Sequence, residues 1–193
     1  MDRPTLDIAN LVCGAQRGDP RCFDELIDAY ADRLYGYFYR STGSRTAAED
    51  LVQEVFLRLI EAIKRYDHRE RFEAYLFRIA GNLNRDRLRK ARRSREVLRF
   101  GEMADDAAAS AFSEVFEDPT ERSPESALEQ AEQVGQMQAA LGRLSSAERE
   151  VIALRHFSGL SFGEIAKLMG TPLGTALARA HRGLARLRTL LDG

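Results

Sequence analysis

Apolar residues recur at spacings of three and four through most of this chain, and that spacing is typical of α-helices. In residues 22–41 (CFDELIDAYADRLYGYFYRS) and 47–66 (AAEDLVQEVFLRLIEAIKRY), most of the large apolar side chains fall on one face of a helix with 3.6 residues per turn. A third pattern of this kind runs from Phe72 to Leu88, and no segment shows an alternating strand pattern of any length. The sequence therefore predicts an all-α protein.

Capping boxes predict where several of these helices begin. In such a box, a serine or threonine side chain bonds to the backbone N–H three residues later, and a glutamate there bonds back. The breaks at 18–20 (GDP) and 41–46 (STGSRT) separate the first helices. The predicted boxes are Thr46 with Glu49, Ser145 with Glu148, and Ser161 with Glu164.

The charge is divided unevenly along the chain, although the net charge is only -1. Residues 1–95 contain 19 Lys and Arg against 15 Asp and Glu, residues 96–135 contain 2 against 11, and residues 136–193 contain 8 against 4. From 96 to 125 the helical period also fails, and a segment of this composition cannot bury enough surface to order itself alone. We therefore predict two small helical domains that bind a polyanion, at 1–95 and 128–193, joined by an acidic flexible linker at 96–127.

The last fifty residues have the proportions of a helix-turn-helix unit. Gly170 and Thr171 form the predicted turn. We expect Thr171 to be the N-cap of the second helix and Pro172 to lie in its first turn. Leu184 and Leu187 of this helix are expected to face inward. Such a helix fits the major groove of DNA, where residues in its N-terminal part meet base edges. Arginine there can bond to guanine or clamp a phosphate, and the sequence leaves both possibilities open. The polar candidates on this helix are Thr175, Arg179, His181, Arg182, Arg186 and Arg188.

Aromatic and basic residues alternate in residues 65–95 (RYDHRERFEAYLFRIAGNLNRDRLRKARRSR). Rings beside a basic track suit single-stranded nucleic acid, because bases stack on the rings while the cations neutralise phosphates. Two of the rings, Tyr75 and Phe77, lie in phase with Leu76 and Ile79, so we expect both of them to be buried.

The sequence contains no pattern typical of a disulfide framework, a metal site or a catalytic site. Cys13 and Cys22 are too few for a disulfide framework or a zinc site, the three histidines are scattered, and no nucleophile elbow or phosphate loop is present. The chain lacks a run of about 18 apolar residues and a signal peptide. We therefore expect a cytoplasmic protein without enzyme activity, metal, cofactor or membrane insertion.

Together these segments resemble the group IV, or extracytoplasmic-function (ECF), sigma factors of the sigma-70 family. Residues 47–67 resemble the helix that docks on the beta-prime clamp helices of RNA polymerase, and residues 69–93 resemble the segment that opens and reads the minus-ten element. Residues 144–188 resemble the domain that reads the minus-thirty-five element and touches the beta flap. The resemblance implies a sigma-2-like helical bundle followed by a sigma-4-like helix-turn-helix domain.

The resemblance also implies roles for the residues at matching positions. Tyr66 and the loop after it would hold a flipped minus-ten base, with Asn82 hydrogen-bonding nearby. The core polymerase-binding residues would be Asp50, Gln53, Glu54 and Arg58. The residues on minus-ten DNA would be Tyr66, Arg69, Phe72, Asn82, Arg85, Arg89, Lys90, Arg92 and Arg93. The residues on minus-thirty-five DNA would be Arg155, Thr175, Arg179, His181, Arg182 and Arg186.

The chain departs from the family pattern at the recognition helix. The family usually has lysine or arginine and then serine where this chain has Leu177 and Ala178, so two polar readers are missing. It also usually has tryptophan at the position of Tyr75. The missing readers imply a weaker or different readout of the upstream element.

The function implied by the family is that of a dissociable subunit that directs core RNA polymerase to specific promoters and initiates transcription. Its partners would be the polymerase core, promoter DNA and an anti-sigma factor that holds the two domains shut. Two alternatives stay open, namely a stand-alone helix-turn-helix transcriptional regulator and a sigma-like decoy that binds an anti-sigma factor.

Overall fold

The computed structural model describes the backbone of residues 7–67, 71–101 and 124–192, and the side chains of 7–67, 71–91 and 132–192. Every regular element within these ranges is a helix, which confirms the all-α prediction. The helices are α1 (Ile8–Gln16), α2 (Pro20–Thr42), α3 (Arg45–Ala62), a 3-10 turn (Ile63–Arg65), α4 (Phe72–Gly101), α5 (Pro124–Gly142), α6 (Ser146–Phe157), α7 (Phe162–Met169) and α8 (Leu173–Asp192).

Capping boxes begin α6 and α7 at the predicted positions. At α7, the Ser161 Oγ accepts from the Glu164 N–H at 3.3 Å, and the Glu164 carboxylate accepts from the Ser161 N–H at 2.7 Å. The box predicted at Thr46 is wrong. Helix α3 is capped by Ser44, whose Oγ accepts from the Ala47 N–H, so the helix has already begun when the chain reaches Thr46.

The core of the N-terminal helices is largely aromatic. Tyr30, Tyr37, Phe38 and Phe77 are almost fully buried between α2 and the helices that pack on it. The rings of Tyr37 and Phe77 meet edge to face, with their centres 5.8 Å apart. The burial of Phe77 is confirmed, whereas Tyr75 is only half-buried.

Gly81 lies within the apolar pattern of residues 72–88 and marks a close helix crossing. A β-carbon added to Gly81 would lie 3.0 Å from Leu168 Cδ2, so α4 and α7 pack tightly at this point. This is one of several places where the predicted N-terminal domain contacts the predicted C-terminal one.

The predicted linker at 96–127 is helical at both of its ends. Helix α4 continues to Gly101, and α5 begins at Pro124. The intervening residues 102–123 lie outside the described part of the chain.

One continuous core joins the two halves of the described chain. It contains buried residues from α1 to α4 and also from α6 to α8, and α2 packs along α6. A smaller apolar cluster lies between α5 and α8, and its buried members are Ala140, Leu141, Leu144 and Leu187.

Candidate nucleic-acid interface

Helices α7 and α8 form the helix-turn-helix unit predicted near the end of the chain. Helix α7 ends at Met169, and Gly170 follows it with a φ of 62°, the left-handed conformation that permits the sharp turn. Helix α8 begins at Leu173. The prediction that Thr171 caps α8 is wrong, because its Oγ1 is buried and makes no hydrogen bond within the described residues. The carbonyl of Pro172 accepts from the N–H groups of Thr175 and Ala176, at 3.0 and 3.1 Å.

Helix α8 packs on the domain through a face of mostly small residues. A β-carbon added to Gly183 would lie 2.7 Å from Ile152 Cδ1, so this glycine allows α8 to lie close to α6. Leu184 was expected to face inward but is 55% exposed, because the buried face is centred on other positions. The buried residues of α8 are Ala176, Ala180, Gly183 and Leu187.

One edge of α8 carries the predicted arginines. Arg182 and Arg186 are exposed, as is His181, while Thr175 and Arg179 are half-buried. This edge lies beside α6, where the Arg182 Nε is 3.7 Å from Glu148 Oε1. The Arg182 side chain is 63% exposed and the Glu148 side chain only 14%, so Arg182 remains accessible to a phosphate from the solvent side.

Arg155 is the predicted upstream-DNA residue that lies outside α8. Its Nη1 donates to the Leu160 carbonyl at 2.7 Å, and its guanidinium carbon lies 5.3 Å from the centre of the Phe162 ring. Arg155 thus braces the connection between α6 and α7, and its contact with DNA stays a prediction.

The exposed side of α4 presents polar and basic side chains. Asn82, Arg89 and Lys90 are exposed, and Arg85 is half-buried. Arg89 pairs with Asp86, and this hydrogen bond lowers the pKa of the Asp86 carboxyl. The predicted minus-ten residues that lie outside the described side chains are Arg69, Arg92 and Arg93.

Tyr66 and Phe72, predicted to lie near a flipped base, are buried in a cluster of rings. Tyr66 is only 7% exposed, and its ring centre lies 5.8 Å from that of Phe72 and 4.9 Å from that of Tyr75. The backbone is held here as well, because the Gln16 Nε2 donates to the Tyr66 carbonyl at 2.7 Å. A base can stack on Tyr66 only after this cluster rearranges.

The predicted polymerase-binding residues lie together on α3. Asp50, Gln53 and Arg58 are exposed, and Glu54 accepts from the Arg58 Nε at 2.7 Å. These four residues occupy successive turns of one helix, so a single partner surface can contact them all.

Two apolar residues on the same helix were missed by the sequence analysis. Leu57 and Ile60 are both more than half exposed beside Gln53 and Arg58. Apolar side chains rimmed by charged ones are typical of protein interfaces. Leu57 departs from the apolar period of the helix, and this departure is a signal in the sequence, whereas Ile60 follows the period and is exposed nevertheless.

A groove of about 620 Å³ runs between α3 and α4 and borders both predicted sets of residues. Glu54 and Arg58 line it from α3, and Arg89 and Lys90 line it from α4. The surface expected to face polymerase therefore continues into the surface expected to face minus-ten DNA.

Arg33 joins the two halves of the chain at the end of α6. Its Nε donates to the Phe157 carbonyl and its Nη2 to the Ser158 carbonyl, each at 2.8 Å. Carbonyls at the end of a helix lack partners within the helix and carry its negative pole, so a cation is favoured there.

A buried glutamine forms a second link between the halves. Gln138 of α5 donates through Nε2 to the Tyr39 carbonyl at 2.6 Å, and its Oε1 accepts from the Arg40 Nη1 at 3.2 Å. The side chain is almost fully buried, and both of its polar atoms are satisfied across the interface.

A third link engages a residue predicted to contact DNA. Arg85 of α4 donates through Nη1 to Glu150 Oε1 of α6 at 3.1 Å, and through Nη2 to Asn82 Oδ1 at 2.7 Å. Burial raises the pKa of the Glu150 carboxyl, and the charge of Arg85 opposes this rise. In this arrangement Arg85 is engaged by Glu150 and Asn82 and not by a DNA phosphate.

Neither a metal cluster nor a membrane span emerges from the part of the chain that the structure describes. Within it, no three His, Cys, Asp or Glu residues lie close enough to hold a metal ion. None of its helices combines the length and apolar character needed to cross a bilayer.

Comparison with known proteins links both halves to one family. Residues 26–94 match Sigma-70 region 2, and residues 135–187 match Sigma-70 region 4. The chain is 33% identical to the ECF RNA polymerase sigma factor SigW of Bacillus subtilis over 91% of its own length and 92% of that protein.

Two solved structures share the fold as well. One is the sigma factor RpoE in complex with the anti-sigma factor NepR from Bartonella quintana, with 25% identity, a TM-score of 0.67, and coverage of 88% of this chain and 96% of that one. The other is CnrH in complex with the cytosolic domain of CnrY, with 28% identity, a TM-score of 0.62, and coverage of 94% and 95%.

Proposed function

Because this chain belongs to the ECF sigma factors of RNA polymerase, we propose that it binds core RNA polymerase, directs it to specific promoters and initiates transcription. Residues 1–95 bind polymerase and act on the minus-ten element, and residues 128–193 read the minus-thirty-five element. Residues 96–127 connect them. The polymerase carries out the catalysis, and the chain works in the cytoplasm.

The observation that carries this proposal is that one chain presents two separate helical surfaces suited to DNA. The exposed side of α4 has Asn82, Arg89 and Lys90, and α8 has Arg182 and Arg186 on its exposed basic edge. Cationic side chains on such surfaces neutralise phosphates and steer association with DNA. A stand-alone regulator needs only the second of these surfaces.

The exposed residues of α3 provide the proposed contact with polymerase. Leu57 and Ile60 provide an exposed apolar centre, with Asp50, Gln53 and Arg58 as its polar rim. Burial of two such side chains against the beta-prime clamp helices stabilises the complex through the hydrophobic effect, and the charged rim sets its orientation. The beta flap is the second contact, made by the C-terminal domain.

Promoter binding requires the two halves to separate. Elements about 25 base pairs apart lie about 85 Å apart on B-DNA, at 3.4 Å per base pair. In the structure, Arg33 is hydrogen-bonded to Phe157, so the halves touch. The chain between Gly101 and Pro124 is long enough to span at most about 75 Å, so the two halves can move tens of ångströms apart without breaking the connection.

The closed arrangement also restrains the DNA-facing side of α4. Arg85 is paired with Glu150, and Gly81 lies against Leu168. Separation frees Arg85 for a phosphate and uncovers α4 at Gly81. An anti-sigma factor that favours the closed arrangement therefore inhibits transcription, and complexes of RpoE with NepR and of CnrH with CnrY support a partner of this class.

The test is transcription by purified components. The full chain is added to core RNA polymerase with genomic DNA fragments, and the transcription start sites are mapped. We expect starts that depend on the chain and share sequence elements upstream. A chain that binds core polymerase but yields no such starts would be a decoy, and a chain that does not bind it would be a separate regulator.

Two variants test whether α3 forms the proposed polymerase contact. Leu57→Asp places a charge at the centre of the proposed polymerase contact, while Glu132→Lys changes an exposed residue of α5. We expect the first to abolish co-purification with core polymerase and the second to preserve it. Equal binding by both variants would remove α3 from the interface.

A further inference from the structure

The first two turns of α8 present mostly apolar side chains to solvent. Leu173 is 49% exposed and Leu177 is 44% exposed, while Ala178 is half-buried. The polar residues of the same turns, Thr175 and Arg179, are also half-buried. The part of a recognition helix that meets base edges thus offers chiefly leucine in this protein.

The exposed leucines lie on one edge of α8, and the arginines lie on the other. Leu173 and Leu177 are one turn apart and share an edge, since residues four apart in a helix lie on the same side. Arg182 and Arg186 lie four residues apart on the opposite edge, beside Glu148 of α6. A helix in the major groove can therefore place arginines on a phosphate strand and leucines toward the bases.

The chemistry of leucine restricts which base it can favour. A leucine placed over guanine or adenine removes water from polar base atoms and supplies no hydrogen bond in return, which is unfavourable. The C5 methyl group of thymine is the apolar group that the major groove displays, and apolar side chains read it by contact.

We propose that Leu177 is a specificity-determining residue that selects thymine in the upstream element by packing on its C5 methyl group. Leu173, one turn earlier, extends the same apolar contact. This inference rests on the proposed function, because it requires α8 to enter the major groove of promoter DNA. It explains how the helix reads sequence although Leu177 and Ala178 replace two polar readers.

DNA fits this surface better than a protein partner does. Leu177 lies one turn from the exposed His181, with the exposed cations Arg182 and Arg186 across the helix. A phosphate backbone complements these charges, whereas an apolar protein groove would have to remove them from water. Two farther exposed leucines, Leu184 and Leu191, lie on the same edge beyond the turns that meet base edges and have no part in this contact.

The experiment removes a single methyl group from the DNA. A promoter mapped with the full chain and core polymerase is prepared with each upstream thymine replaced in turn by deoxyuridine, which lacks only the C5 methyl. At one or two positions we expect the holoenzyme to bind about fourfold more weakly, the effect of one buried carbon group. Holoenzyme with Leu177→Ala should bind the unmodified promoter more weakly and show no deoxyuridine effect at those positions.

Leu191→Ala is the matched control, because it shortens an exposed leucine on the same edge of the same helix. Holoenzyme with this variant should keep the full deoxyuridine effect. The proposal is overturned if no thymine is sensitive, if the upstream element has no A·T pair, or if Leu177→Ala keeps the effect. Equal weakening by Leu177→Ala on both DNAs assigns Leu177 to a protein contact instead.

These outcomes are separate from failure of the proposed function. If the holoenzyme initiates at specific sites but is insensitive to deoxyuridine, only the role of Leu177 is lost. If no specific initiation occurs at all, the proposed function fails first. Circular dichroism of Leu177→Ala checks that the variant folds, as expected for an exposed side chain.

Discussion

Gly36 of α2 lies directly against the ring of Phe157 at the end of α6. A β-carbon added to Gly36 would lie 2.3 Å from Phe157 Cε1, well inside the van der Waals contact distance. The two helices approach this closely only because position 36 has no side chain. The contact joins the N-terminal and C-terminal halves beside the hydrogen bonds made by Arg33.

The substitution Gly36→Ala is therefore expected to separate the halves. Overpacking of this kind costs about 1 to 3 kcal/mol, which exceeds the gain of up to about 1 kcal/mol from the helix propensity of alanine. The radius of gyration, measured by small-angle X-ray scattering, should increase. Gly135→Ala is the control, because no atom lies within 4 Å of its added β-carbon. An unchanged radius for Gly36→Ala would show that Phe157 moves aside instead.

Arg85→Ala should destabilise the closed arrangement at neutral pH. The substitution removes the hydrogen-bonded cation of the buried Glu150 carboxylate and leaves it with the weaker attraction of Arg179, at a cost of about 1 to 3 kcal/mol in urea denaturation. Burial already raises the pKa of Glu150, and loss of Arg85 raises it further. The folded form then holds its proton more tightly than the unfolded form, so the cost grows as pH rises above about 4.3 and fades below it.

A double variant checks this interpretation. In the Arg85→Ala background, Glu150→Gln removes the charge and keeps a similar shape. The added pH dependence should disappear and part of the stability should return. A pH dependence that persists in the double variant would have to come from another group.

The capping box of α7 should contribute to stability above acidic pH. Hydrogen bonds from the Ser161 side chain and backbone lower the pKa of Glu164, so its contribution is present above the unfolded value, about 4.3, and is lost as pH falls through the folded value. Ser161→Ala should cost about 1 kcal/mol at pH near 7 in thermal unfolding. Glu164→Gln should reduce stability at neutral pH and differ less from the wild type in acid. A constant difference at every pH would contradict the assigned role of Glu164.

Arg182→Ala should reduce the salt dependence of promoter binding. Each lost phosphate contact lowers the slope of log K against log salt concentration by about 0.9. Arg188→Ala is the control, because Arg188 is exposed farther along α8 and lies 3.6 Å from Asp192. The holoenzyme is titrated on one promoter at several salt concentrations. An identical slope for wild type and Arg182→Ala would place Arg182 away from the phosphates.

Asn82→Ala should impair promoter opening more than promoter binding. Asn82 is exposed on α4 and accepts a hydrogen bond from Arg85, so its loss leaves the core intact. Transcription from a duplex promoter should fall more than transcription from a premelted one. Equal losses on both templates would exclude a role in opening. Tyr66→Ala is unsuitable for this test, because emptying the buried ring cluster costs about 3 to 5 kcal/mol of stability.

The sequence by itself determined the features that depend on neighbouring residues. The apolar period predicted α2, α3 and α4, and the serine and glutamate pairs predicted the starts of α6 and α7, because these signals act within one or two turns of a helix. Local motifs also indicated the family and the order of its two regions. The cap predicted at Thr46 was wrong because Ser44, two residues earlier, is the cap, and the helix has already begun at Arg45.

Only the tertiary structure decided which side chains remain accessible. Tyr66 enters a cluster with Phe72, while Leu184 and Ile60 remain exposed, because burial depends on helices that are distant in the chain. The partners of residues such as Arg85 likewise come from far along the sequence. The helical period predicts which face of a helix is apolar. The packing of one helix on another decides whether that face is covered and at which positions a glycine is required.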